Sequence, residues 1–72
     1  MDPQVAWNEL LDAIAANNLE MAEVYADGLL EWTSRKGFPP QTASRLLSES
    51  WDRAICRFVC LKVIAAAKPP WD

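Results

Sequence analysis

Residues 34–42 read SRKGFPPQT, and this stretch decides how the chain is divided into helices. Gly37 follows a helical pattern and can take the positive φ found just past a helix end. Arg35 and Lys36 precede it, where cations favour the negative end of the helix dipole. Pro39 and Pro40 then prevent the helix from continuing. The stretch therefore predicts the end of one helix and a change of chain direction.

Two interpretations of this stretch are open, a hinge and a recognition loop. Because nearly every residue in it has a local structural role, we favour the hinge. We expect the Phe38 ring to pack back against the last helical turn, on Trp32 or Thr33. The predicted hinge consists of Gly37, Phe38, Pro39 and Pro40.

Two helices are predicted before the hinge, over residues 3–16 and 19–36. Asp2 can accept hydrogen bonds from the first free amides, and Pro3 suits the first helical position. Asn17 and Asn18 break the helical pattern, since asparagine tolerates the left-handed conformation. Asn17 and Glu20 also have the spacing of a capping box. So short a connection predicts an antiparallel helical hairpin.

Each predicted helix of the hairpin carries one apolar stripe at spacings of three and four residues. In the first helix the stripe is Trp7, Leu10, Leu11 and Ile14, and in the second it is Ala22, Tyr25, Leu29 and Trp32. The stripes predict which sides of the hairpin contribute to a core.

A third helix is predicted over residues 40–67, with a break near Ser48 and Ser50 left open. It carries two apolar stripes on roughly opposite sides. The first, interpreted as the core seam, is Leu47, Trp51, Ala54, Phe58, Leu61 and Ala65. The second is Cys56, Val59 or Cys60, Val63 and Ala67. The chain is thus predicted to be a single all-α domain, a three-helix bundle over residues 1–72.

A helix with two apolar faces predicts an intermolecular surface, because one chain of three helices cannot cover both faces. We predict a homodimer through the second stripe, with scattered surface residues as the plainer alternative. The expected interface residues are Cys56, Val59, Cys60, Val63, Ala67 and Trp71.

Charge is distributed unevenly along the chain. Residues 1–34 hold seven acidic residues and no cation, whereas residues 35–72 have a net charge of +4. Folding at the hinge would bring the two halves together. We therefore expect charge pairs between the second and third helices: Arg45 with Glu31, and Arg53 or Arg57 with Glu23 or Glu20.

Catalysis and cofactor binding are not expected, because the chain has no histidine and no phosphate-binding glycine loop. Cys56 and Cys60 are four residues apart, and a Cys-based metal or redox protein is the least favoured class of function. The two thiols supply at most half of a tetrahedral zinc site, so buried apolar residues are the favoured interpretation. A nucleic-acid-associated regulator is a second class of function. It would use the basic residues of the third helix, which are Arg45, Arg53, Arg57, Lys62 and Lys68. The net charge of −3 disfavours it.

A cytoplasmic protein without a membrane segment is expected. The N-terminus resembles a capped helix more than a secretory signal. The longest apolar-rich stretch, residues 54–67, contains two cations and is shorter than the roughly 20 residues that cross a bilayer. Function is therefore predicted to be a non-catalytic interaction between proteins, either with a second copy or with another protein.

Two resemblances accompany these patterns. The run NNLEMAEVYADGLLEW at residues 17–32 resembles the second half of a tetratricopeptide-type hairpin, with Ala22 at the small-residue position. The combination of an acidic amphipathic helix, Leu29-x-x-Trp32 and the run GFPP at residues 37–40 resembles small bacterial all-helical proteins that share this ending. The second resemblance implies an all-α fold and assigns no activity.

Overall fold

A computed structural model describes residues 1–43 and 47–67. It contains three helices, α1 (Pro3–Ala15), α2 (Leu19–Ser34) and α3 (Glu49–Ala67), so the predicted all-α fold is confirmed. Helix α2 packs against both α1 and α3, which contact each other least. None of these three helices is long and apolar enough to cross a membrane.

The hairpin begins and turns as its polar residues predict. Asp2 Oδ1 accepts hydrogen bonds from the amides of Gln4 and Val5, at 3.0 and 3.3 Å. At the turn, Asn17 takes the left-handed conformation with φ 56°. Asn18 Oδ1 then accepts from the Met21 amide at 3.2 Å. The predicted capping box was one residue out of register, because Asn17 ends α1 and only Asn18 caps α2.

Helix α2 ends two residues earlier than expected, and Gly37 has a different role from the predicted one. Lys36, not Gly37, takes the positive φ of 64° past the helix end. The Gly37 amide then donates to Trp32 O at 3.0 Å, which closes the last turn. A side chain at position 37 would collide with the Trp32 indole. Glycine is needed here for that close approach.

The hinge is held by its backbone and by Pro40, and the predicted packing of Phe38 is wrong. The Phe38 side chain is 73% exposed. Its carbonyl accepts a hydrogen bond from Trp32 Nε1 at 2.8 Å, so the indole binds the backbone and not the ring. Pro40 is completely buried. The Gln41 amide donates to Gln4 Oε1 at 2.9 Å, which ties the hinge to α1.

Helix α3 begins at Glu49, nine residues later than predicted and at the break left open near Ser48 and Ser50. The prolines do not restart a helix at once. Thr42 instead donates from its amide and its hydroxyl to Asp52 Oδ1, at 3.0 and 2.8 Å. The Ser48 carbonyl accepts from the Asp52 amide at 3.0 Å and opens the helical ladder. A buried carboxylate thus joins the extended segment after the hinge to the first turn of α3.

The core lies along α2 and uses the opposite face of α3 from the one predicted. Helices α1 and α2 contribute much as expected, although Leu11 and Ile14 remain more than one-third exposed. From α3 the core takes the second stripe, while the expected seam points outward. The buried apolar residues are Trp7, Leu10, Ala13, Ala22, Ala26, Leu29, Cys56, Cys60 and Val63. Small side chains on both α2 and α3 let these helices approach closely, which two bulky indole or phenyl rings would prevent.

Candidate functional site

The outer face of α3 is the most distinctive surface of the described chain. Its apolar side chains are spaced alternately by three and four residues, the 3.5-residue period of a coiled-coil seam. All five are exposed. We call this set the outer stripe: Trp51, Ala54, Phe58, Leu61 and Ala65.

Large side chains make the outer stripe a substantial apolar patch. Trp51 and Phe58 are each 62% exposed, and Leu61 is 55% exposed. Aromatic side chains cover about 150 to 250 Å² when fully buried, so two rings exposed to this degree present roughly 200 to 300 Å² between them. Monomers rarely leave open apolar patches larger than a few hundred Å². The outer stripe reaches the size range in which apolar surface marks a contact site.

The residues predicted to form the interface lie mainly in the core. Cys56 and Cys60 are completely buried and Val63 is nearly so, which leaves them no surface to offer to a second chain. Val59 and Ala67 are half-buried. Trp71 lies outside the described residues. The presence of two apolar faces was correctly predicted, but which of them faces inward was wrong.

A shallow groove adjoins the outer stripe, between α3 and the α1–α2 turn. It encloses about 290 Å³. Its walls are almost wholly apolar, and one charged residue, Lys62, stands at its edge with Nζ 5.8 Å from the centre of the Phe58 ring. The groove is lined by Ile14, Leu19, Phe58, Val59, Lys62, Val63 and Ala66.

Two of the five basic residues that a nucleic-acid interface would use are bound to the end of α2. Arg53 donates to Thr33 O at 2.7 Å and to Gly37 O at 3.0 Å, and Arg57 donates to Thr33 Oγ1 at 3.4 Å. Thr33 lies in the last turn of α2, where its carbonyl also accepts from the Lys36 amide at 3.2 Å, and Gly37 lies just past the helix end. The two guanidinium groups therefore sit at the negative end of the helix dipole. Arg45 and Lys68 lie outside the described residues.

The predicted charge pairs between α2 and α3 are therefore wrong for Arg53 and Arg57, while the pairing of Arg45 with Glu31 lies outside the described residues. In the described ranges the ion pairs are local: Arg35 with Glu31 at 2.7 Å and Arg53 with Glu49 at 3.3 Å. Each joins residues four apart on one helix. Arg53 and Arg57 thus bind carbonyl and hydroxyl oxygens at the end of α2 instead of the expected carboxylates of Glu20 and Glu23.

The two cysteines form a buried pair on the inner face of α3. Both are free thiols, and the favoured interpretation of buried apolar residues is confirmed. The hydrogen bond with Cys56, together with burial, raises the pKa of the Cys60 thiol above its ordinary value. Among the described residues no further ligand completes a metal-binding group with them. The pair is placed for packing and is shielded from reagents in water.

Comparison of the chain with protein-family models, curated proteins and solved structures found no match. The resemblances drawn from its sequence motifs stay predictions.

Proposed function

We propose that this chain is a non-catalytic self-association module that forms a homodimer through the outer stripe of α3. The observation that carries the proposal is that the outer stripe, an apolar seam with coiled-coil spacing, faces solvent. Trp51, Phe58 and Leu61 follow that spacing, yet they face solvent while the opposite side of the helix fills the core. A seam of this kind is completed when a second helix packs on it.

The pattern of side-chain sizes favours a second copy as the occupant. The outer stripe combines large residues with two alanines, Ala54 between Trp51 and Phe58 and Ala65 after Leu61. Under twofold symmetry the same stripe lies on both sides of the interface, so the large side chains of one copy can fill the spaces above the alanines of the other. An unrelated protein partner is the competing outcome of the test.

The amount of surface is also consistent with a dimer that uses more than the outer stripe. A stable interface buries about 800 Å² on each partner, and the two exposed rings supply only part of that area. The adjoining groove and the aliphatic stem of Lys62 extend the patch on one side.

We place this dimer in the cytoplasm, where the free thiols of Cys56 and Cys60 would stay reduced.

The proposal is tested by measuring mass in solution by light scattering or sedimentation equilibrium. The wild-type chain should approach twice 8.1 kDa with rising concentration. Leu61→Glu and Phe58→Glu should remain monomeric with an unchanged helical circular dichroism spectrum. Val24→Glu is the matched control, because Val24 is 58% exposed but lies on α2, away from the outer stripe. A wild-type chain that stays monomeric at high micromolar concentration would falsify the proposal.

A further inference from the structure

We propose that the two α3 helices of the dimer pair antiparallel, with the Trp51 indole of each copy seated in the groove of the other copy beside the partner's Lys62. This inference rests on the dimer proposed above and adds its orientation, its register and the side chain that enters the groove. Three observations support it: the size of the groove, the spacing of the outer stripe, and the side of α3 on which the groove lies.

The groove is suited to an aromatic side chain. An apolar cavity of about 150 Å³ holds a benzene molecule, so a groove of about 290 Å³ has room for an indole. Ile14 and Leu19 form its far wall and are themselves more than one-third exposed. The edge carrying Lys62 provides a cation for the face of an aromatic ring. Trp51 is the largest exposed apolar side chain in the described part of α3.

The register that pairs large with small residues also brings Trp51 to the groove. In an antiparallel pair, Trp51 can lie opposite the partner's Leu61 while Ala54 lies opposite the partner's Phe58. This arrangement fills the space above Ala54 of each copy with the Phe58 ring of the other. The partner's Lys62 is then one residue, or about 1.5 Å of helical rise, from the level of Trp51. Groove-lining residues 58–66 are centred at that same level.

The side of α3 that carries Trp51 also agrees with antiparallel pairing. Trp51 and Phe58 lie on the edge of the outer stripe that adjoins Lys62, and this edge borders the groove. In an antiparallel pair, equivalent edges of the two helices face each other, so Trp51 points toward the partner's groove. A parallel pair would bring this edge against the opposite edge of the second helix. Trp51 would then lie level with the partner's Trp51, about three helical turns from the centre of the groove.

The helix dipoles also favour the antiparallel orientation. Antiparallel pairing places the negative end of each α3 beside the positive end of the other, whereas parallel pairing would place like ends together. The charged side chains at the start of α3 carry no weight in this choice. Arg53 and Arg57 are bound to the end of α2, and Glu49 is paired with Arg53 on that side of the helix.

Disulfide mapping tests the orientation directly. In the double variant Trp51→Cys/Lys62→Cys, mild oxidation should give a covalent dimer, with a linkage between positions 51 and 62 identified by peptide mass spectrometry. Trp51→Cys alone should give no covalent dimer, because the two positions 51 would lie about 15 Å apart along the axis. The wild-type chain is the control for the native thiols, which are completely buried.

A second measurement tests the groove without new cysteines. Leu19→Glu should weaken dimerisation at least tenfold, and Leu11→Glu should leave it nearly unchanged. The two leucines are similarly exposed, but only Leu19 lines the groove.

The results of these experiments distinguish a failure of the antiparallel seating from a failure of the dimer itself. A monomeric wild-type chain overturns both. If the wild-type chain is dimeric but the cysteine variants link position 51 to position 51, or the double variant dimerises without a linkage between positions 51 and 62, the antiparallel seating is overturned and the dimer stands. Equal effects of Leu19→Glu and Leu11→Glu would likewise remove the groove from the interface.

Discussion

The inner and outer faces of α3 are both apolar, but they differ in the size of their side chains. The inner face offers Cys56, Cys60 and Val63, whereas the outer face offers two aromatic rings and a leucine. The facing helix α2 presents Ala22 and Ala26 to the core. Helices in contact through small residues pack closely, so the small face turns inward even though the other face has more apolar area to bury. Size complementarity between helices, and not apolar area alone, determines which face becomes the core.

The largest expected difference between the faces comes from two neighbouring residues. Cys60→Glu places a carboxylate at a completely buried site and should cost about 3 to 5 kcal/mol, enough to unfold a domain this small. Leu61→Glu changes a residue that is 55% exposed and should cost less than about 1 kcal/mol in dilute solution. Urea unfolding followed by circular dichroism measures both. If Leu61→Glu proved the more damaging, the assignment of the two faces would be reversed.

The next effect concerns the charged residue on the inner face. Asp52 is buried and accepts both hydrogen bonds that Thr42 donates. Asp52→Ala leaves these donors without their acceptor and should lower the free energy of unfolding by about 2 to 3 kcal/mol. Asp52→Asn retains an acceptor oxygen and should lose less.

Ser50→Ala is the control for Asp52, because Ser50 is exposed in the same helical turn. Equal stability of Asp52→Ala and Ser50→Ala would show that the inner face is held by apolar packing alone.

Local chemistry in the sequence predicted the helices and one of the two turns. Asp2 and the asparagine pair act through their own backbone neighbours, so their roles can be recognised from spacing. The orientation of α3 could not be recognised this way, because both of its stripes satisfy helical periodicity. Alanines on α2 were the available signal, since small residues there favour a small facing surface. Likewise, nothing local to Arg53 indicates that its partners are carbonyls 16 and 20 residues earlier in the chain.

Gly37 and Phe38 in the hinge show, on a smaller scale, the same contrast between a confined position and an exposed one. Gly37→Ala would force a methyl group against the Trp32 indole and should cost about 1 to 2 kcal/mol. Phe38→Ala should leave stability within about 0.5 kcal/mol, because the ring is 73% exposed and only its carbonyl is held. Thermal unfolding compares the two variants. A marked loss of stability in Phe38→Ala would restore the ring to the structural role first expected of it.

The smallest effect is a dependence of stability on pH that arises from the inner face. The folded chain raises the pKa of Cys60 above that of the unfolded thiol, which is about 8.5. The fold therefore favours the neutral thiol, and this contribution is complete below the unfolded pKa and declines as pH rises above it. Between about pH 7 and about pH 9.5 the chain should lose roughly 1 kcal/mol from Cys60 alone. The hydrogen bond with Cys60 lowers the pKa of the Cys56 thiol, so Cys56 offsets part of this loss. Urea unfolding at the two pH values measures the loss, and Cys60→Ala should reduce it because no thiol remains to ionise at that position. An unchanged pH dependence in Cys60→Ala would mean that other groups, and not the buried thiol, link stability to pH.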